Sequence, residues 1–82
     1  MTTTNVTKKA QIEAIAKKLV KFAQIGAIST IALETIINKI DAIGTDYLTY
    51  KVYGNNVCFY YTYHNCNHLC HDMFMMEVKN RN

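Results

Sequence analysis

The sequence predicts an α+β domain: two N-terminal amphipathic helices packed on a small antiparallel sheet, the sheet being one hairpin plus either a third strand or a C-terminal helix. Three observations carry this expectation. Apolar residues recur at helical spacing through the first half of the chain. Aromatic and β-branched runs flank a Gly-Asn pair in the second half. The chain has 82 residues, 50% of them hydrophobic, which suits one domain with a small core. There is no proline to mark a linker, so residues 1–82 read as a single domain, with the polar residues 1–6 as a flexible N-terminal tail.

From Thr7 onward, Ile12, Ile15, Ala16, Leu19, Phe22 and Ala23 fall on one helical face, while Glu13, Lys17, Lys18, Lys21 and Gln24 share the other. A second helix starts with Ser29 or Thr30 as N-cap and stops before Gly44, which suits a left-handed C-cap. Its inward residues are Ala32, Leu33, Ile36, Ile37, Ile40 and Ile43. Residues 24–28 are the expected turn between the helices. The rival geometry is one continuous helix of about 55 Å at 1.5 Å per residue, because Ile12 to Ile43 also keep a heptad register through Gly26 and Ser29. Ile28 and Ile31 would then lie on the wrong side, and the helical hairpin is preferred.

The runs 47–53 and 57–63 form the predicted β-hairpin around Gly54, Asn55 and Asn56. Alternation places Leu48, Tyr50, Val52, Val57, Phe59 and Tyr61 on the face toward the helices. Tyr47, Thr49, Lys51, Tyr53, Cys58, Tyr60, Thr62 and His64 occupy the other face, which is more aromatic than a solvated sheet needs. Residues 73–79 fit a third strand with Phe74, Met76 and Val78 inward, and a helix from Asn67 fits nearly as well.

Between these segments lies HNCNHLCH, residues 64–71. Thiolate and imidazole are zinc donors, and His64, Cys66, Cys70 and His71 make the most plausible set of four. An extended chain would hold same-face neighbours roughly 6.5 to 7 Å apart, and no second Cys or His pair at metal-site spacing supports them. No cofactor is therefore expected, with zinc as the alternative. Three cysteines in a chain with no hydrophobic signal segment read as free thiols of a cytoplasmic protein, and no apolar run is long enough for a membrane span.

Glu77-Val78-Lys79 resembles the E-x-K strand of restriction-type nucleases, in which an acid and a lysine serve Mg²⁺ and a scissile phosphate. The resemblance covers three residues and lacks the accompanying proline-aspartate motif. No nucleophile triad, glycine-rich phosphate loop or spaced carboxylate pair occurs, so the chain does not read as an enzyme.

The net charge of +3 comes mainly from Lys8, Lys9, Lys17, Lys18 and Lys21 in the first helix. That stripe suits phosphates, although the sole arginine, Arg81, is far from it in sequence. The expected function is a small intracellular, non-enzymatic protein-interaction or regulatory module. Its abundance of Ile, Asn, Lys, Thr and Tyr points to an AT-rich genome such as that of a phage or mobile element. Tyr47, Lys51, Tyr53 and Tyr60 are the expected partner-binding residues. The alternative is a basic nucleic-acid-binding domain using Lys17, Lys18 and Lys21, with a structural zinc site. Surplus apolar helix surface, crossing a second copy at Gly26 and Ser29, predicts a homodimer.

Overall fold

A computed structural model describes residues 7–79 of the chain. The tail expected at residues 1–6 and the arginine at 81 lie outside the described residues. Helix α1 spans Lys8–Ile25, strand β1 Ala27–Ser29, helix α2 Thr30–Ile43, and strands β2 Leu48–Tyr53, β3 Asn56–Asn65 and β4 His68–Lys79 follow. The architecture is α+β, but the sheet is not the small antiparallel one expected. It is four-stranded and mixed, in the order β1-β4-β3-β2, and a strand separates the two helices.

That strand occupies the segment expected as a turn. Gly26, in the left-handed region at φ 84°, ends α1 by donating its N–H to the Phe22 carbonyl. Its own carbonyl accepts from the Glu77 N–H at 3.0 Å. Ala27, Ile28 and Ser29 then pair in parallel with Glu77, Val78 and Lys79. Ile28 enters the core, and the Ser29 hydroxyl caps α2 by accepting from the Ala32 N–H at 3.1 Å. Thr7 caps α1 in the same manner through the Ala10 N–H. Gly44, at φ 64°, closes α2.

Both helices cover one face of the sheet. Ile12, Ile15 and Leu19 from α1 and Leu33, Ile36, Ile40 and Ile43 from α2 meet Leu48, Val57, Phe59 and Met76 in one buried cluster. Most of the helical stripe that predicted self-association is therefore already buried against the chain's own sheet, with Phe22 and Ile37 half-buried. The continuous helix through Gly26 is also overturned, since α1 ends there and β1 follows, and within the chain a Cβ at Gly26 would meet nothing within 4 Å. Its requirement is conformational.

The β2–β3 hairpin turns on Gly54-Asn55 alone, with Tyr53 opposite Asn56. A positive φ at Gly54 and none at Asn55 is the type II′ pattern. β4 is a strand throughout, as Phe74, Met76 and Val78 inward would require, and it begins at His68. It pairs with β3 without a skipped residue from Asn65↔His68 to Asn56↔Glu77. Among the described residues no helix is long and apolar enough to cross a membrane.

Candidate functional site

The sheet face away from the helices is built by alternation on three strands. β2 contributes Thr49, Lys51 and Tyr53, with Tyr47 just before it. β3 contributes Cys58, Tyr60, Thr62 and His64, and β4 contributes Leu69, His71, Met73 and Met75, opposite them in register. Tyr47, Tyr53, Leu69, Met73 and Met75 are 45% to 63% exposed. The aromatic set expected from the hairpin is thus brought together, and β4 extends it with three large apolar side chains. The sequence fits residues 67–79 to either a strand or a helix, so it does not by itself single out these three. Their odd-numbered spacing, Leu69, Met73 and Met75 around His71, was the available signal.

The face is ordered by polar contacts rather than by a covering layer. The Tyr53 and Tyr60 hydroxyls lie 3.0 Å apart, and Lys51 Nζ stands 5.4 Å from the centre of the Tyr53 ring. Tyr60 is pushed above the ordinary phenol value of 10.0, first by its hydrogen bond with Tyr53, then by the Cys58 thiol and by burial. Cys58 is fully buried beneath these side chains despite facing away from the helices. The Tyr47 ring meets His64 edge-on at 6.4 Å, and His71 Nδ1 lies 3.2 Å from the Thr62 hydroxyl.

The HNCNHLCH segment is a hairpin tip. Cys66 and Asn67, at φ 53° and 67°, form the two-residue turn between β3 and β4. Positive φ at both positions is the type I′ pattern. The turn separates the zinc candidates: His64 and His71 face away from the helices, Cys70 faces the helix side and Cys66 sits in the turn itself. Among the described residues no three His, Cys, Asp or Glu side chains gather as a metal site would require. All three cysteines are free thiols.

The candidate nucleic-acid residues Lys17, Lys18 and Lys21 are exposed on α1, on the helix layer rather than the open sheet face. Lys18 borders a groove between the helices with Lys39. Glu77 and Lys79 pair with each other at 3.3 Å. A cleft of about 420 Å³ between the start of α1 and the sheet is lined by Lys8, Glu13, Tyr61, Tyr63 and His64 among others. Tyr61 and Tyr63 stack there with centroids 4.9 Å apart. Burial first, then Glu13 and Asp72, raises the Tyr61 phenol, and the Asp72 carboxylate is the chief cause raising Tyr63. No protein-family model matches the chain, and neither a curated protein nor a solved structure matches it.

Proposed function

We propose that this chain is a non-enzymatic protein-interaction module of the cytoplasm, regulatory in role, that docks a protein partner on its open sheet face. The observation that supports the reading is the cluster of Tyr47, Tyr53, Tyr60, Leu69, Met73 and Met75 on a face that the helices leave uncovered. Tyrosine supplies large, rigid contact area with a polar tip, and methionine adapts to an irregular partner surface. Both are enriched at protein interfaces. Lys51, held over the Tyr53 ring, is the cation of this patch. The partner chemistry that fits is an apolar patch with a carboxylate at its margin. The alternative is nucleic-acid binding, with phosphates held by Lys17, Lys18 and Lys21 on a different surface or with single-strand bases stacked on Tyr47, Tyr53 and Tyr60.

The test uses a cross-linked complex recovered from the source cell, with two variants compared with the native chain. Tyr53→Ser/Met73→Ser should lose the partner, whereas Lys17→Gln/Lys18→Gln/Lys21→Gln should retain it within a few fold and with shallow salt dependence. The reverse result would decide against the proposal: oligonucleotide binding that falls steeply with salt and disappears in the lysine variant.

A further inference from the structure

β4 has an open edge. The directly opposed pair Asn65↔His68 closes the Cys66-Asn67 turn, so ladder bonds toward β3 belong to the even-numbered residues of β4 and the odd-numbered residues direct their N–H and C=O outward. Two bonds confirm the phase. Val78 donates to Asn55 on the β3 side at 2.7 Å, and Glu77 donates to Gly26 on the β1 side at 3.0 Å. β1, however, covers only Glu77 to Lys79. Beside Leu69, His71, Met73 and Met75 there is no strand among the described residues, and their side chains lie on the open face.

Natural sheets blunt such an edge with lysine, proline or a bulge. Between His68 and Met76 there is neither lysine nor proline, and the continuous register leaves no bulge. Asp72, the one formal charge there, sits on the helix face with its backbone turned toward β3. The edge therefore presents a row of donors and acceptors with apolar side chains beside them, which is complementary to another strand edge.

We infer that this edge joins a second copy of the chain, β4 to β4, antiparallel about a two-fold axis at His71. The register follows from what surrounds the edge. Centring the axis on Asp72 would set two carboxylates directly opposite and would drive the partner's Cys66-Asn67 turn into β1. Centring it on His71 stops that turn beside Met75 and Met76, ahead of the paired residues of β1 and against Gly26, whose carbonyl holds the Glu77 N–H. Leu69 then faces Met73 of the other copy, and Cys70 faces Asp72. The outward groups of Leu69, His71 and Met73 on each chain are all paired, and the two sheets become one, ordered β2-β3-β4-β4-β3-β2. This is a two-fold contact through one self-complementary edge, distinct from the helix crossing that the heptad spacing suggested. It is read from backbone groups rather than from the tyrosines, so it stands or falls separately from partner docking on the face.

The test needs only the purified protein. Sedimentation at micromolar concentration should give twice the 9.4 kDa of one chain. Leu69→Lys/Met73→Lys, which opposes lysine to lysine across the axis at two exposed positions, should be monomeric, while Leu69→Lys/Met73→Glu should remain dimeric. In a Cys66→Ser/Cys70→Ser background, His71→Cys should cross-link to itself with oxidised glutathione, two thiols giving one disulfide as the glutathione disulfide is reduced to two thiols. Directly opposed residues at about 5.5 Å between Cα atoms are within disulfide reach. Met73→Cys in the same background should not cross-link. Circular dichroism checks that each variant is folded. A monomeric native protein, charged variants that behave alike, or cross-linking through residue 73 in place of 71 would overturn the inference.

Discussion

Tyr53 and Tyr60 share a hydrogen bond of 3.0 Å between their hydroxyls, although one lies at the end of β2 and the other five residues into β3. The bond spans diagonally across the hairpin, because Tyr60 opposes Thr49 and Tyr53 opposes Asn56. It couples the order of the open face to the protonation of its phenols.

Alkaline stability follows from this coupling. The phenols of Tyr60, Tyr61 and Tyr63 are all raised above 10.0 in the folded chain, so the native state holds those protons more tightly than the unfolded one. Their contribution is fully present below pH 10 and is lost as pH rises above it. Melting temperature measured against pH should begin to fall there. Tyr53→Phe, which removes the largest cause of the Tyr60 shift, should make the fall shallower, and an unchanged slope would contradict the assignment.

Thiol labelling should resolve the three cysteines in time. Cys66 is exposed, Cys70 half-buried and Cys58 buried. Under native conditions a maleimide should modify Cys66 first, Cys70 more slowly and Cys58 only as the protein unfolds. Mass spectrometry of quenched samples gives the order, and early modification of Cys58 would show that the tyrosine cover does not exclude solvent.

The Cys66-Asn67 turn holds two non-glycine residues at positive φ. Cys66→Asn/Asn67→Gly supplies the pair that a type I′ turn favours. The double variant should gain about 1 kcal/mol, a rise of roughly 4–8 °C in melting temperature for a domain of this size. No gain in denaturant unfolding would mean that the native turn carries no strain.

Gly26→Ala separates conformation from packing. Nothing would touch the added Cβ, yet φ 84° disfavours any L side chain, so the cost should be about 1–2 kcal/mol. The oligomeric mass should not change if association runs through the β4 edge, which lies apart from this glycine's added Cβ. In the core, by contrast, Leu19→Ala should cost about 2–5 kcal/mol, since Leu19 is wholly buried.

Zinc should have no hold on stability. With Cys70 on the helix side of the sheet and His64 and His71 on the other, neither a chelator nor Cys70→Ser should shift the melting temperature by the amount that a structural metal contributes.

Local chemistry in the chain foretells much of this architecture. The spacing of Ile12, Ile15 and Leu19, the Ser29 cap, Gly44 and the alternation from Leu48 to Tyr61 each report a short-range preference, and the structure follows them. β1 was illegible because three residues carry no periodicity, and because its pairing depends on Glu77–Lys79, far along the chain. The same distance hid the mixed sheet. At the hairpin tip, the ligand-rich composition of residues 64–71 obscured a backbone signal, since Cys66 is an unusual occupant of a left-handed turn position. For the open face, the tyrosines of the first hairpin were readable, whereas Leu69, Met73 and Met75 awaited the choice between strand and helix for their segment.

The strand between the helices also has a consequence for the order of assembly. As the chain is synthesised, both helices are made before the segment that pairs with β1, and Ile28 is made about fifty residues before its partner Val78. Each helix carries its own cap and can form early, but their junction has no sheet to join until β3 and β4 have closed on their two-residue turn. That closure is local and fast, whereas docking β1 beside β4 closes a long loop and is entropically slow. Contact order therefore places the docking of β1 late in folding, so substitutions in Ala27–Ser29 should speed unfolding more than they slow folding, which stopped-flow kinetics would show.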